Sequence, residues 1–184
     1  MREAVGRILY SGKSRMLIIR SETPEDFSAV RHINESAFGR PAEADLVDAL
    51  RRAASPFISL VAELDGQVVG HIFFSPVTIE SDDSTSIAMG LGPLAIAPEY
   101  QNRCIGSELV IEGLRECRRI GHDVVVVLGH AGYYPRFGFR PASSKGLRCE
   151  YDVPDDVFMV AELSEGAIGE RRGLVKYHPE FSRV

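Results

Sequence analysis

The most restrictive feature of this sequence is the segment Leu94–Ser107, in which an apolar run passes through a short turn of small and polar residues into a helix. Apolar residues from Ile105 onward recur at helical spacing. The first N–H groups of such a helix lack partners within it, and the helix dipole places partial positive charge there. Gly106 has no side chain to keep a ligand from the backbone. The segment favours a phosphate or carboxylate site, with an ordinary strand-to-helix turn as the open alternative.

The composition limits the classes of protein to which the chain can belong. Its 184 residues, 45% hydrophobic and 26% charged, are typical of one globular domain. A net charge of −5 disfavours a nucleic-acid or membrane-surface partner, and no apolar run approaches the ~20 residues of a membrane span. Cys104, Cys117 and Cys149 are widely spaced, which excludes a CxxC zinc pair and fits a reducing, cytoplasmic location. His32, His71, His122 and His178 show no metal-ligand spacing, and no metal is expected.

The periodicity of apolar residues predicts a single α/β domain with a mixed sheet. Helices are predicted to begin at Thr23, Pro41 and Ile105, with strands at 17–20, 58–64, 67–79, 87–97, 124–128 and 157–163. Asp65–Gly66 is typical of a β-hairpin turn. Gly92 and Pro93, inside a strand, predict a bulge or a place where a ligand approaches the backbone.

The domain limits follow from where this regular pattern stops. Residues 1–15 are predicted to be a flexible extension, residues 16–165 the domain, and residues 166–184 a glycine-rich, loosely organised tail that packs on the same domain. Residues 142–156 are predicted to be a polar loop. Gly12–Lys13–Ser14 lacks the glycine spacing, strand and helix of a P-loop, so a nucleotide site is not predicted there.

Two motifs resemble those of the GNAT superfamily of acyl-CoA-dependent N-acyltransferases. Gln101–Gly106 is similar to the family's acetyl-CoA motif, Gln/Arg-x-x-Gly-x-Gly/Ala between a strand and a helix, with Cys104 where the family usually has glycine. Gly129–Phe139 is similar to a later motif in which a tyrosine four residues before Gly-Phe approaches the CoA sulfur; Tyr134 has that spacing. The YYxRFGF wording is typical of a bacterial subgroup of acetyltransferases. The resemblance covers about residues 16–163.

The resemblance implies a GNAT-like fold, a predominantly antiparallel sheet with one splayed parallel pair of strands. The pair would be the strand ending at Ile96 and the strand Val124–Leu128, and acetyl-CoA would lie between their ends. The pantetheine arm would pair with the backbone of the first strand, and the diphosphate would rest on N–H groups of the following helix. The residues implied to bind acetyl-CoA are Leu94, Ala95, Ile96, Gln101, Asn102, Arg103, Cys104, Ile105, Gly106 and Ser107.

The implied reaction is direct attack of a primary amine on the thioester carbonyl in a ternary complex. A backbone N–H near Leu94 would stabilise the oxyanion, and Tyr134 would be the general acid for the CoA thiolate, with Tyr133 as the fallback. A core tyrosine is the structural alternative for Tyr134. The general base stays open between His130, Glu35 and a water chain.

Two classes of function are consistent with these residues. The first is an N-acetyltransferase that uses acetyl-CoA as donor and no metal, and it is preferred because two motifs occur in order. The alternative is a non-catalytic acyl-CoA-binding or interaction module, favoured by the cysteine at position 104 and by the lack of an obvious base. The sequence carries no recognisable motif that identifies the acceptor amine. A homodimer is considered possible only because dimers are common among homo-oligomers.

Overall fold

A mixed sheet is the framework of the residues that the computed structural model describes, 4–10 and 15–183. Its ten strands are β1 (Ala4–Tyr10), β2 (Arg15–Ser21), β3 (Ile58–Leu64), β4 (Gln67–Glu80), β5 (Thr85–Ile96), β6 (Val124–Leu128), β7 (Arg140–Pro141), β8 (Leu147–Cys149), β9 (Phe158–Glu162) and β10 (Gly173–Lys176). Along the order β1-β2-β3-β4-β5-β6-β9-β7 all neighbours are antiparallel except β5 and β6. The predicted mixed sheet with a splayed parallel pair, β5 and β6, is confirmed, and β8 and β10 form a further parallel pair off this path.

Three α-helices cover the sheet: α1 (Phe27–Phe38), α2 (Ala42–Ala53) and α3 (Ile105–Arg119). Short 3₁₀ helices lie at Pro24–Asp26, Pro98–Tyr100, Tyr134–Phe137, Ala142–Lys145 and Pro179–Arg183. The backbone N–H of Thr23 donates to Asp26 Oδ2 at 2.8 Å, which starts the helical region where the Thr-Pro pair predicted it. Gly39, with φ +71°, ends α1. None of the helices in the described part of the chain combines the length and apolarity of a membrane span.

The parallel pair β5–β6 separates along its length. Their last paired residues are Leu91 and Val127, whereas β5 continues to Ile96 on the side of β4 alone. Two residues of β5, Gly92 and Pro93, lie opposite the single residue Phe73 of β4, so the predicted bulge is present. The bulge bends β5 at the level where β6 leaves it.

Each face of the sheet has its own core. On one face, α3 packs against Phe74, and a Cβ at Gly113 would lie only 2.3 Å from Cε2 of that ring, so α3 can approach this closely only with glycine there. On the other face, Val30 of α1 and Leu50 of α2 pack against Phe73. Both phenylalanines are fully buried. Because the adjacent residues Phe73 and Phe74 of β4 point to opposite faces of the sheet, α1 and α2 pack on one face and α3 on the other.

Three segments differ from the expectation. No structure was predicted for residues 1–15, but β1 pairs with β2; Gly12–Lys13–Ser14 lies outside the described residues. The loop expected at 142–156 contains β8, and the tail is not loosely organised, because β10 pairs with β4 and β8 and buries Val175. These strands gain their hydrogen bonds from partners distant in sequence, which local periodicity does not reveal. The flexibility of the extension and the domain limits stay predictions.

A buried polar network joins β3 and β4 to the helices. His71 is fully buried; its Nε2 lies 2.9 Å from Ser59 Oγ, and its Nδ1 lies 3.3 Å from Asn34 Nδ2. The Ser59 hydroxyl donates to Glu22 Oε2 at 2.6 Å, so Ser59 must accept the proton on His71 Nε2. Arg51 Nε donates to the same carboxylate oxygen at 3.0 Å. Burial, and secondarily the charge of Arg51, lower the pKa of His71 to about 3.

This network predicts that the protein loses stability in mild acid. Between the ordinary histidine pKa of 6.5 and about 3, the unfolded chain binds a proton that the folded His71 does not, so stability falls as pH drops through this window. From pH 7 to pH 4.5 the free energy of unfolding should fall by about 2–3 kcal/mol more in the native protein than in His71→Gln. Denaturant titrations at both pH values measure the difference.

The pH range from 7 to 4.5 distinguishes the effect of His71 on stability from that of the buried carboxylate Asp26. Hydrogen bonds from Arg20 are the main cause that lowers the pKa of Asp26 to about 2, so its stabilising effect is lost only below its ordinary value of 3.8. Equal acid sensitivity of the native protein and the glutamine variant would contradict the assignment.

Candidate active site

A cavity of about 690 Å³ lies where the sheet opens between β5 and β6. Its walls include Leu94, Ile96, all of residues 101–107, His130 and Tyr134, which sequence analysis had singled out. Ala95 is absent from the lining and is buried beside β4. Residues from three distant parts of the sequence therefore meet in one space, and the predicted site residues other than Ala95 face it.

The edge of β5 presents backbone groups to this cavity. The N–H of Ala97 donates to the carbonyl of Val69 on β4 at 3.0 Å. Because successive residues of a strand direct their N–H and C=O groups to opposite edges, those of Leu94 and Ile96 point away from β4 and into the opening. The Ile96 carbonyl accepts a hydrogen bond from Gln101 Nε2 at 3.1 Å. The Leu94 N–H is thus directed toward the place predicted for an oxyanion.

The turn into α3 has a strained backbone. Asn102 and Cys104 have φ angles of +59° and +63°, in the left-handed region that residues other than glycine seldom adopt. Cys104 is exposed and directly precedes α3. A glycine at this position of the motif would meet the conformational requirement without strain, which explains the family's preference there.

Tyr134 is fixed by its neighbours. Only 7% of the residue is exposed, and its ring packs edge-on against Tyr133 and Phe139, with centroids 5.1 and 5.6 Å away. Gly129 opens the later motif but was not selected as a site residue; a Cβ there would lie 2.2 Å from Tyr134 Cε2. The signal was available, since Gly129 directly follows the buried strand β6. Burial, and then Tyr133, raise the pKa of Tyr134 above its usual range, so its hydroxyl stays protonated.

Tyr133 links the later motif to the first turn of α3. Its hydroxyl lies over Gly106, 2.9 Å from the position that a Cβ would take, and faces the side chain of Ser107. Burial raises the pKa of Tyr133, and the nearby Ser107 side chain partly opposes this rise. The hydroxyl of Tyr133 therefore faces the phosphate-binding end proposed from the sequence, whereas Tyr134 lies deeper.

The candidate bases differ in position. His130 is exposed and lines the cavity directly after β6. Glu35 does not line it, and its Oε1 lies 3.1 Å from Arg31 Nε in an ion pair on α1. Ala37 and Phe38, at the end of α1, do line the cavity although sequence analysis did not select them. No periodic or motif signal distinguishes these two residues from other residues of the helix.

Comparison with known proteins decides the family. Residues 18–142 match the model of the acetyltransferase (GNAT) domain. This chain belongs to the GNAT acetyltransferase family. Two GNAT relatives from Escherichia coli K12 are the uncharacterized N-acetyltransferases YhbS, 36% identical over 168 residues (91% of this chain, 99% of YhbS), and YjhQ, 41% identical over 134 residues (71% of this chain, 74% of YjhQ). As a GNAT protein, the chain is an acyltransferase.

Solved GNAT structures agree with this assignment. The crystal structure of E. coli YhbS in complex with CoA has a TM-score of 0.85 and 34% identity, covering 95% of this chain and 96% of that one. A GNAT acetyltransferase from Brucella melitensis in complex with acetyl-CoA has a TM-score of 0.73 and 37% identity, covering 90% and 97%. The GNAT-like fold expected from the motifs is confirmed.

The strained turn predicts a stabilising substitution in this GNAT protein. A side chain in the left-handed region costs about 1–2 kcal/mol, whereas glycine loses about 0.5–1 kcal/mol of backbone entropy on folding. Cys104→Gly should therefore raise the free energy of unfolding by up to about 1 kcal/mol. Denaturant unfolding under reducing conditions measures this. Cys104→Ala is the matched control, because it removes the thiol and keeps the Cβ; an equal gain in both variants would contradict the backbone explanation.

Proposed function

We propose that this protein transfers the acetyl group of acetyl-CoA to a primary amine by direct attack in a ternary complex. One observation carries the proposal: a single cavity joins the unpaired edge of β5, the first turn of α3 and the buried hydroxyl-bearing residue Tyr134. The similar structures from E. coli and B. melitensis, with CoA and acetyl-CoA respectively, support the choice of donor.

The donor would be held mainly by backbone groups. In the proposed complex, the amides of the pantetheine arm form hydrogen bonds with the cavity-facing backbone groups of Leu94 and Ile96. Bonding to the Ile96 carbonyl requires that the Gln101 side chain give up its hydrogen bond to that oxygen. The diphosphate lies on the N–H groups at the start of α3, where unpaired donors and the helix dipole favour an anion. Gly106 adds no side chain of its own to this surface, beside which the Tyr133 hydroxyl lies. The thioester is thereby directed toward the interior end of the cavity, beside Tyr134.

The reaction then proceeds by addition and elimination. The nitrogen of the neutral amine attacks the thioester carbonyl, and the negative charge that forms on its oxygen is stabilised by the Leu94 N–H. The nitrogen loses a proton to a base, the C–S bond breaks, and the amide and the CoA thiolate separate. Pro93 has no N–H, so it cannot share the role of Leu94. The thiolate receives a proton, which keeps the overall reaction balanced as amine plus thioester to amide plus thiol.

Tyr134 is proposed to donate to the departing sulfur. Its raised pKa keeps the phenol protonated across the pH range in which the enzyme would work, so a hydrogen bond to the thiolate is available throughout. The aromatic contacts and the absence of a side chain at Gly129 hold the ring in place. The proton that leaves the amine restores the phenol after turnover.

His130 is the base that the cavity favours. It is exposed at the cavity wall, where its imidazole ring nitrogen is proposed to accept a proton from the amine. Glu35 is disfavoured because it is paired with Arg31 away from the lining. Phe38, which is 41% exposed at the end of α1, offers an apolar surface to the carbon chain of the acceptor. A cytoplasmic location and a homodimer remain predictions from the sequence.

Replacing the Tyr134 hydroxyl tests the mechanism. Tyr134→Phe should lower kcat by about 10²-fold or more, because the thiolate loses its hydrogen-bond donor, while the Kd for CoA stays nearly unchanged. Thiol release with a panel of primary amines gives the rates, and calorimetry gives the affinity. Tyr151→Phe is the control, since Tyr151 packs outside the cavity against Tyr177.

The outcomes separate the competing roles. An unchanged kcat in Tyr134→Phe would reject Tyr134 as the donor. CoA binding by the native protein without thiol release from any amine would reject the enzymatic proposal and favour the acyl-CoA-binding module.

A further inference from the structure

The charge of the cavity differs in sign from that of the protein. The chain has a net charge of −5, yet within the described residues no aspartate or glutamate lines the cavity, whereas Arg103 and Arg136 do. Arg103 belongs to the turn before α3, which sequence analysis assigned to the donor. Arg136 comes from the 3₁₀ helix Tyr134–Phe137, and neither the sequence motifs nor the proposed mechanism gives it a role.

The guanidinium of Arg136 is held in a defined orientation. Its Nε donates to the carbonyl of Tyr133 at 2.8 Å, and one Nη donates to the carbonyl of Gly132 at 3.4 Å. The group lies over the Tyr133 ring, 4.6 Å from its centroid. It forms no ion pair with any carboxylate of residues 4–10 and 15–183. Because arginine has five N–H donors and two are used here, three remain for a ligand.

Tyr133 connects this guanidinium with the start of α3. The same ring that supports Arg136 extends to Gly106 and Ser107, where its hydroxyl ends. The cation and the first turn of α3 therefore line the same cavity. Such a pairing of an oriented guanidinium with free amide donors matches a phosphate, whose oxygens accept both kinds of hydrogen bond.

We propose that Arg136 is a phosphate-binding residue for CoA that acts together with the N–H groups of the α3 turn. The inference rests on the proposed function, because it takes CoA as the ligand. CoA carries phosphate in two places, the diphosphate and the 3′-phosphate of its ribose. The planar guanidinium binds either in the same way, with paired N–H donors to two oxygens.

Calorimetric titration with two ligands tests the proposal and identifies the phosphate. Native protein, Arg136→Gln, Arg136→Lys and Arg140→Gln are each titrated with CoA and with 3′-dephospho-CoA. Arg136→Gln should raise the Kd for CoA roughly tenfold or more, as expected for the loss of a charge-assisted hydrogen-bonded pair. Arg136→Lys keeps the charge but not the planar fork and should recover only part of the affinity. Arg140→Gln makes the same change of charge at an exposed residue outside the cavity and should leave the Kd unchanged.

The second ligand distinguishes the two phosphates. If Arg136 binds the 3′-phosphate, Arg136→Gln raises the Kd for CoA and leaves the Kd for 3′-dephospho-CoA unchanged. If Arg136 binds the diphosphate, the substitution raises the Kd values for both ligands by a similar factor. Either pattern supports the proposal. Equal Kd values in the native protein and Arg136→Gln for both ligands, or an equal loss in Arg140→Gln, would overturn it.

Turnover separates this inference from the proposed function. Arg136 lies at the phosphate end, so Arg136→Gln should raise the KM for acetyl-CoA and leave kcat at saturation unchanged. A fall in kcat with an unchanged KM would overturn the assigned role. Absence of thiol release from the native protein, with CoA affinity that still depends on Arg136, would reject the enzymatic proposal and leave the phosphate assignment standing.

Discussion

The parting of β5 from β6 is the constraint on which the rest of the site depends. Backbone N–H and C=O groups inside a protein must find partners, and in a continuous sheet the neighbouring strand supplies them. Beyond Leu91 that partner is missing on one side of β5, while β4 continues to hold the other. The unpaired edge near Leu94 is therefore open to a ligand whose own amides can take the place of a strand. The bulge at Gly92 and Pro93 lies where the strands separate.

Close approach of backbone and side chains shapes the remainder of the cavity. Missing Cβ atoms at Gly129 and Gly106 leave room for Tyr134 and for the hydroxyl of Tyr133. The two tyrosines thereby reach different depths, one beside the predicted thioester and one over the start of α3. Cys104 differs from these two glycines, because it carries a Cβ although its backbone is in the left-handed region. The fold tolerates this local strain since the flanking strand and helix are both tightly packed.

Local sequence patterns predicted most of this arrangement, and the exceptions have physical causes. The strand Val124–Leu128 and the segment Gln101–Gly106 were identified because continuous apolar residues and helix-start chemistry are local properties. Strand β10 was missed because its stability comes from pairing with β4 and β8. Ala37 and Phe38 were missed for a related reason: which residues of a helix reach a cavity depends on how the helix packs. Ala95 was included because it adjoins Leu94 in sequence, but successive strand residues face opposite ways.

The most direct test of the account is a crystal structure of this protein with bound CoA. The account predicts density for the diphosphate on the N–H groups at the start of α3, pantetheine amides bonded to the Leu94 edge of β5, and the sulfur within hydrogen-bonding distance of the Tyr134 hydroxyl. CoA bound elsewhere on the protein, or a sulfur placed far from Tyr134 while the gap between β5 and β6 stays empty, would contradict it.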